Sequence, residues 1–349
     1  MGGAEQPRAP RRDARRADRK RWGRVVKRVL HIATGGTIAS TPAGAGGPVV
    51  ASLGPAALLA GVEMPPGLAV DSVGFASAGS YALDCADLLG LARLVEAELP
   101  RHDGCVITHG TDTMEETAYS LELLLAPEKP VILTGAQRHA GAADSDGPGN
   151  LRNALRAAAS DAMAPAGVCI LFEEDIHAAR HVRKVHTSRT DTFRSGDFGK
   201  LGSIDAGRVS IARLPRRTAP LGIPDRAAKV ALIPAAIGTP PDLLHLLVGS
   251  DVEAVVVQGF GRGNFPRGWA DACRRLIAAG TPVLVTSRCP EGAVMPVYGN
   301  DSGGTTMGEA GALFAGDLDS FKARLLLGFA LARPCGDLAG IVSRYAGGD

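Results

Sequence analysis

The sequence predicts an α/β protein with a larger N-terminal domain on a parallel-rich sheet and a smaller C-terminal α/β domain. Three observations carry this. Short apolar runs alternate with helical patterns along most of the 349 residues, the alternation that parallel sheets covered by helices require. The runs are continuously hydrophobic, as strands buried on both faces must be. Residues 214–226, LPRRTAPLGIPDR, are rich in Pro and Arg without any period and read as an interdomain linker. The expected division is a basic tail over 1–24, a first domain over 25–213, the linker, and a second domain over 227–349.

Strands are expected at 29–33, 106–108, 131–134 and 168–172 before the linker, and at 230–234, 254–258 and 283–286 after it. Helices are expected at 55–60, 87–98, 115–125 and 150–160, then at 241–248, 268–278 and 317–331. The helix at 115–125 shows the logic. Met114, Ala118, Leu121 and Leu125 fall on one face, and Asp112 and Thr113 are each followed three residues later by Glu, as in a capping box. Aromatic residues make up 4% of the chain, so the core must come from Leu, Val, Ile and Ala.

The net charge of +2 hides an asymmetry. Residues 1–24 hold nine Lys and Arg against three acids, leaving the remainder at −4. So basic a stretch, with few apolar residues, is expected to be disordered. It lacks the apolar segment of a secretory signal, and no run is long enough to span a membrane. The six cysteines are scattered, mostly in apolar stretches, and read as reduced thiols. A cytoplasmic protein is expected. The acidic body, with no basic stripe carrying aromatics, argues against a nucleic-acid partner.

In open α/β sheets ligands bind beyond the carboxyl ends of the strands. Three expected strands end in polar, glycine-containing loops: Thr34-Gly35-Gly36-Thr37, Thr108-His109-Gly110-Thr111-Asp112 and Thr134-Gly135-Ala136-Gln137. The first lacks both the third glycine of a dinucleotide fingerprint and the Gly-Lys-Ser/Thr of a P-loop. What is left is two glycines that let a ligand approach the backbone, followed by a hydroxyl. A threonine acts as a nucleophile only when a base takes its proton. The candidate bases are His31, His109, Asp112 and the few lysines outside the tail. Lys184 lies among Arg180, Arg183 and Arg189, a segment that on composition alone reads as a solvated basic loop. His177 and His181 have the four-residue spacing of a helical metal pair, but no adjacent Glu or acidic cluster accompanies them, so no metal is expected.

Four stretches in order, ATGGTIAS, VITHGTDTMEETAY, VILTGAQR and DGPGNLRNA, resemble the bacterial-type L-asparaginases, and the resemblance runs from about residue 29 to the C-terminus. It implies hydrolysis of a side-chain amide to aspartate and ammonia without metal or cofactor, with glutamine as a further substrate. Thr37 matches the family's attacking threonine; Thr111, Asp112 and Lys184 match its Thr-Asp-Lys set. The implied substrate contacts are Gly36, Ser80, Tyr81, Gly110 and Ala136, with Asp112 facing the α-ammonium and Ser80 the α-carboxylate of L-asparagine. A homo-oligomer, dimer or tetramer, is implied as well. The alternatives are an amidase subunit of a tRNA-dependent amidotransferase and a non-catalytic amino-acid-binding protein.

The sequence departs from the family pattern in three places. The loop at 41–54, TPAGAGGPVVASLG, lacks the tyrosine many members carry there; Tyr81 and Tyr298 are the candidate substitutes. Gly79-Ser80-Tyr81 replaces an amide side chain with an aromatic one. The family's partner-subunit Asn falls at Arg262, with Asn264 two residues on, and Glu291 is the candidate acid.

Overall fold

The computed structural model describes residues 26–347 apart from 45, 126 and 335. The expected basic tail lies outside the described residues. The first domain is built on an eight-stranded sheet ordered Arg208–Ile211, Gly202–Asp205, Asp175–Ala178, Val168–Phe172, Val131–Thr134, Gly104–Thr108, Lys27–Gly35, Leu68–Ala78. The last five run parallel; the first three close the other edge in antiparallel fashion. The four strands expected from continuous apolar runs form its centre, with Val106, Ile107, Ile132 and Leu133 fully buried.

Four strands of this sheet were not expected. Leu68–Ala78 is an edge strand whose burial alternates between half-buried and exposed, and Asp71, Ser72 and Gly74 interrupt its apolar run. Gly202–Asp205 and Arg208–Ile211 form a short hairpin through Ala206 and Gly207, both at positive φ (47° and 78°). That is the two-residue turn whose twist matches paired strands.

The second domain carries four parallel strands, Val230–Pro234, Ala254–Gly259, Val283–Ser287 and Leu313–Phe314, covered on one side by the helix Trp269–Ala278. The helix Ser320–Leu331 lies between the domains. Its Leu326 and Phe329 belong to the same buried cluster as Leu121 and Leu124 of the first-domain helix Met114–Leu124. A helix apolar nearly all round is one buried on all sides. It starts at Ser320 rather than 317 because the Asp319 carboxylate accepts the backbone N–H groups of Phe321 (3.0 Å) and Lys322 (3.1 Å).

Candidate active site

Register brings the three polar loops abreast. Ala33 pairs with Thr108 and Thr108 with Thr134, so the strands finish together at one sheet edge. Two glycines then let the loops meet backbone to backbone. Gly36 has φ 79°, and a Cβ there would lie 2.4 Å from the Gly110 Cα. A Cβ on Gly110 would lie 2.7 Å from the Ser80 Oγ, so Ser80, which follows the Leu68–Ala78 strand, packs directly on that glycine.

Several polar groups at this edge are structural. The hydroxyl of Thr34 donates to the Thr108 carbonyl (3.0 Å) and that of Thr134 to the Leu171 carbonyl (2.8 Å). His31 hydrogen-bonds Ser72 (2.7 Å) and Thr108 (3.0 Å). His109 donates from Nδ1 to the Gly110 carbonyl (2.7 Å) and accepts at Nε2 from Thr117 (3.0 Å). Burial pushes both imidazoles down to about 4. Both are neutral supports at physiological pH, with neither ring nitrogen free to act as a base.

The lysine is placed differently. Arg183–Lys184 forms a small antiparallel ribbon with Phe193–Arg194, and the buried Glu115 carboxylate accepts the Lys184 backbone N–H. The side chain of Lys184 is 14% exposed, and its Nζ donates to Thr111 Oγ1 and to Asp112 Oδ1, both at 2.8 Å. The solvated-loop reading of this segment is therefore wrong for Lys184: it is tied into the second threonine loop.

Thr111 donates in turn to Gln137 Oε1 (3.1 Å), while Gln137 Nε2 donates to the Arg189 carbonyl (3.1 Å), which fixes the amide's orientation. The Asp146 carboxylate pins the third loop by accepting the N–H groups of Gln137 (3.0 Å) and Arg138 (2.9 Å), and Asn150 Nδ2 holds the Gly135 carbonyl (3.1 Å). Gln137 and Asp146 were not singled out from the sequence. Their presence in VILTGAQR and DGPGN was the only signal.

A cavity of about 950 Å³ opens here, and Gly36, Thr37, Ser80, Tyr81, Gly110, Thr111 and Asp112 all line it. Thr37 is half-buried at the start of a short 3-10 turn, Thr37–Ala39. Its hydroxyl has no hydrogen-bond partner among the described residues. Ala136 does not line the cavity; its side chain is 1% exposed in the core, and the neighbouring Gln137 faces the cavity instead. Lys184 stands behind the wall, through Thr111 and Asp112.

Capping is corrected. The helix begins at Met114 with Thr113 at its N-cap position, and no side chain caps it. Thr113 donates to the Ser80 carbonyl (2.9 Å), Asp112 takes Lys184, and Glu115 turns to the Lys184 amide.

The departures also have places. The loop after Thr37 forms a ribbon, Ser40–Pro42 with Val49–Ala51, and puts Val49 and Val50 on the cavity wall. Tyr81 is 78% exposed at the same cavity. Tyr298, Arg262, Asn264 and Glu291 do not line it within their own chain. Arg262 reaches Met295, Asn264 accepts the Gly304 N–H (3.2 Å), and Glu291 lies against Gly196. The three histidines near Lys184 point apart: His177 to Ser195 (2.8 Å), His181 stacked on Phe198, and His186 accepting from the N–H groups of Ser188 and Arg189.

Two α/β domains, with threonine loops at the carboxyl edge of the first sheet and one of them bridged to a half-buried lysine, define a class of two-domain α/β proteins with a polar cavity at that edge. Residues 28–217 match the N-terminal asparaginase family model and residues 229–341 the glutaminase/asparaginase C-terminal domain. The chain belongs to the asparaginase family. It is 37% identical over 314 residues to a "Probable L-asparaginase" of Deinococcus radiodurans, covering 86% of this chain and 92% of that protein. It is 31% identical over 307 residues to a glutamyl-tRNA(Gln) amidotransferase subunit of Methanosarcina barkeri, covering 83% and 71%. The crystal structure of a "Probable Cytoplasmic L-asparaginase" from Campylobacter jejuni superposes with a TM-score of 0.79 at 30% identity, covering 91% of this chain and 99% of that one. Among the described residues no helix is long and apolar enough to cross a membrane.

Proposed function

We propose that this protein is an L-asparaginase that hydrolyses L-asparagine to L-aspartate and ammonia by threonine chemistry. The observation that carries the reading is the Lys184 ammonium within 2.8 Å of both Thr111 and Asp112, at the wall of the cavity that Thr37 also lines. Asp112 receives the substrate's α-ammonium and Ser80 its α-carboxylate, which directs the side-chain amide toward Thr37.

Thr37 Oγ1 forms a bond to the amide carbon, and the C–N bond breaks as the nitrogen leaves with a proton as ammonia. Water then cleaves the resulting ester, which releases aspartate and restores the Thr37 hydroxyl. Backbone N–H groups around Thr37 face the oxyanion, the strongest electrostatic device available to such a site. Thr111 and Lys184, joined by their hydrogen bond, relay the proton. Gln137 holds the Thr111 hydroxyl in one orientation during the relay. Glutamine is a second substrate, because one additional methylene is discriminated by only about 1–3 kcal/mol. The protein acts in the cytoplasm as a homodimer or homotetramer, with the 214–226 segment joining its two domains.

The test is ammonia release from asparagine by the wild type and by Thr37→Ala, Thr111→Val and Lys184→Met. Loss of activity in all three supports the assignment. Three folded variants working at the wild-type rate would remove it. A salt-sensitive complex with tRNA, together with ammonia release that depends on it, would instead favour the amidotransferase reading carried by the Methanosarcina barkeri relative.

A further inference from the structure

Lys322 sits on the interdomain helix Ser320–Leu331 with its side chain 1% exposed. Its Nζ donates to the carbonyls of Arg180 (2.9 Å) and Val182 (2.6 Å) and faces the Asp319 carboxylate at 3.3 Å. Burying an ammonium costs several kcal/mol unless its protons are satisfied, and an apolar side chain of the same length would fill this space at lower cost. The two carbonyls belong to the stretch of chain that leads into Lys184.

The same segment is gripped a second time. Arg180 pairs with the Asp317 carboxylate and donates to the Tyr345 carbonyl (2.6 Å), both in the second domain. From the first-domain side, Glu115 accepts the Lys184 N–H. Residues 180–184 are thus held between the two domains, and Lys184 projects from the end of the held stretch.

We propose that Lys322 is a positioning residue for Lys184: through the Arg180 and Val182 carbonyls, the second domain sets where the lysine meets Thr111 and Asp112. This rests on the reading of Lys184 as the proton relay. It gives the second domain a part in the chemistry of its own chain's site without any contact to the substrate. Displacement of a relay group by an ångström costs on the order of 100-fold in rate, whereas Ser80 and the loop backbones that hold the substrate do not touch Lys322.

The experiment compares the full-length wild type with Lys322→Met, Arg180→Met and Lys184→Met. It reads kcat and KM for asparagine, binding of aspartate, and hydrogen exchange of the 180–184 amides. Lys322→Met is expected to lower kcat at least tenfold, keep KM within about threefold, and lose protection over 180–184 while still binding aspartate. Arg180→Met, at a partly exposed side chain, is expected to lower kcat about threefold with the same selectivity, and it decides the question if Lys322→Met does not fold. Folded variants with wild-type kcat would overturn the inference. So would a loss of aspartate binding in proportion to kcat, which marks a general structural role. Lys184→Met at the wild-type rate would instead overturn the site reading on which the inference stands.

Discussion

Glu115 offers a prediction whose size follows from the structure. The residue is 8% exposed and its carboxyl accepts the Lys184 amide. Burial raises it from the ordinary 4.5 to about 7, against the opposing pull of Lys322. Between these two values the folded protein binds a proton that the unfolded chain releases, so stability falls as pH rises from 4.5 through 7. Raising a carboxyl from 4.5 to about 7 corresponds to roughly 3 kcal/mol.

Glu115→Gln keeps an acceptor for the Lys184 N–H and removes the titration. Relative to wild type, the variant should gain up to about 3 kcal/mol between pH 4.5 and pH 8. The wild-type curve alone does not isolate this contribution. His31 and His109 are lowered from 6.5 to about 4 and act in the opposite sense, their stabilisation being lost as pH falls from 6.5 through 4. The difference between variant and wild type cancels them. Urea denaturation of both proteins across this range is the assay. Parallel pH profiles would show that Glu115 ionises in the fold as it does in the unfolded chain, and the buried-carboxylate argument would fail.

Two further predictions concern the loops. Gly36→Ala places a Cβ 2.4 Å from the Gly110 Cα at φ 79°; it should destabilise the protein by at least about 1–3 kcal/mol and abolish ammonia release, checked by a thermal melt and a turnover assay. Gln137→Leu removes the acceptor that orients the Thr111 hydroxyl; kcat should fall about tenfold, or about 1.4 kcal/mol, with KM for asparagine little changed in steady-state kinetics.

The legible parts of the fold were those where burial is two-sided. Val106-Ile107 and Ile132-Leu133 need no partner information to read as central strands. Leu68–Ala78 was illegible because an edge strand with one wet side mixes Asp71 and Ser72 into its run, and the Gly202–Ile211 hairpin because its four-residue strands carry too little pattern. At the site, the loops Gly35-Gly36-Thr37 and Gly110-Thr111-Asp112 were readable as strand ends with hydroxyls. What those hydroxyls and carboxylates do is a matter of approach through space. Asp112 matches a helix cap in local sequence, yet Lys184, 72 residues on, takes its carboxylate instead. Gln137 carries no assignable role in the sequence, and Lys322 is only one of six candidate lysines outside the tail, for the same reason: each is defined by carbonyls and hydroxyls that only the folded chain brings to it.

The most direct test is the stoichiometry of ammonia and aspartate released from asparagine by the purified wild type, with Thr37→Ala beside it. One ammonia per aspartate is expected from the wild type, with a loss of at least about 100-fold in the folded Thr37→Ala variant. Asparagine that binds the wild type without releasing ammonia, or a Thr37→Ala variant that turns over at the wild-type rate, would contradict it.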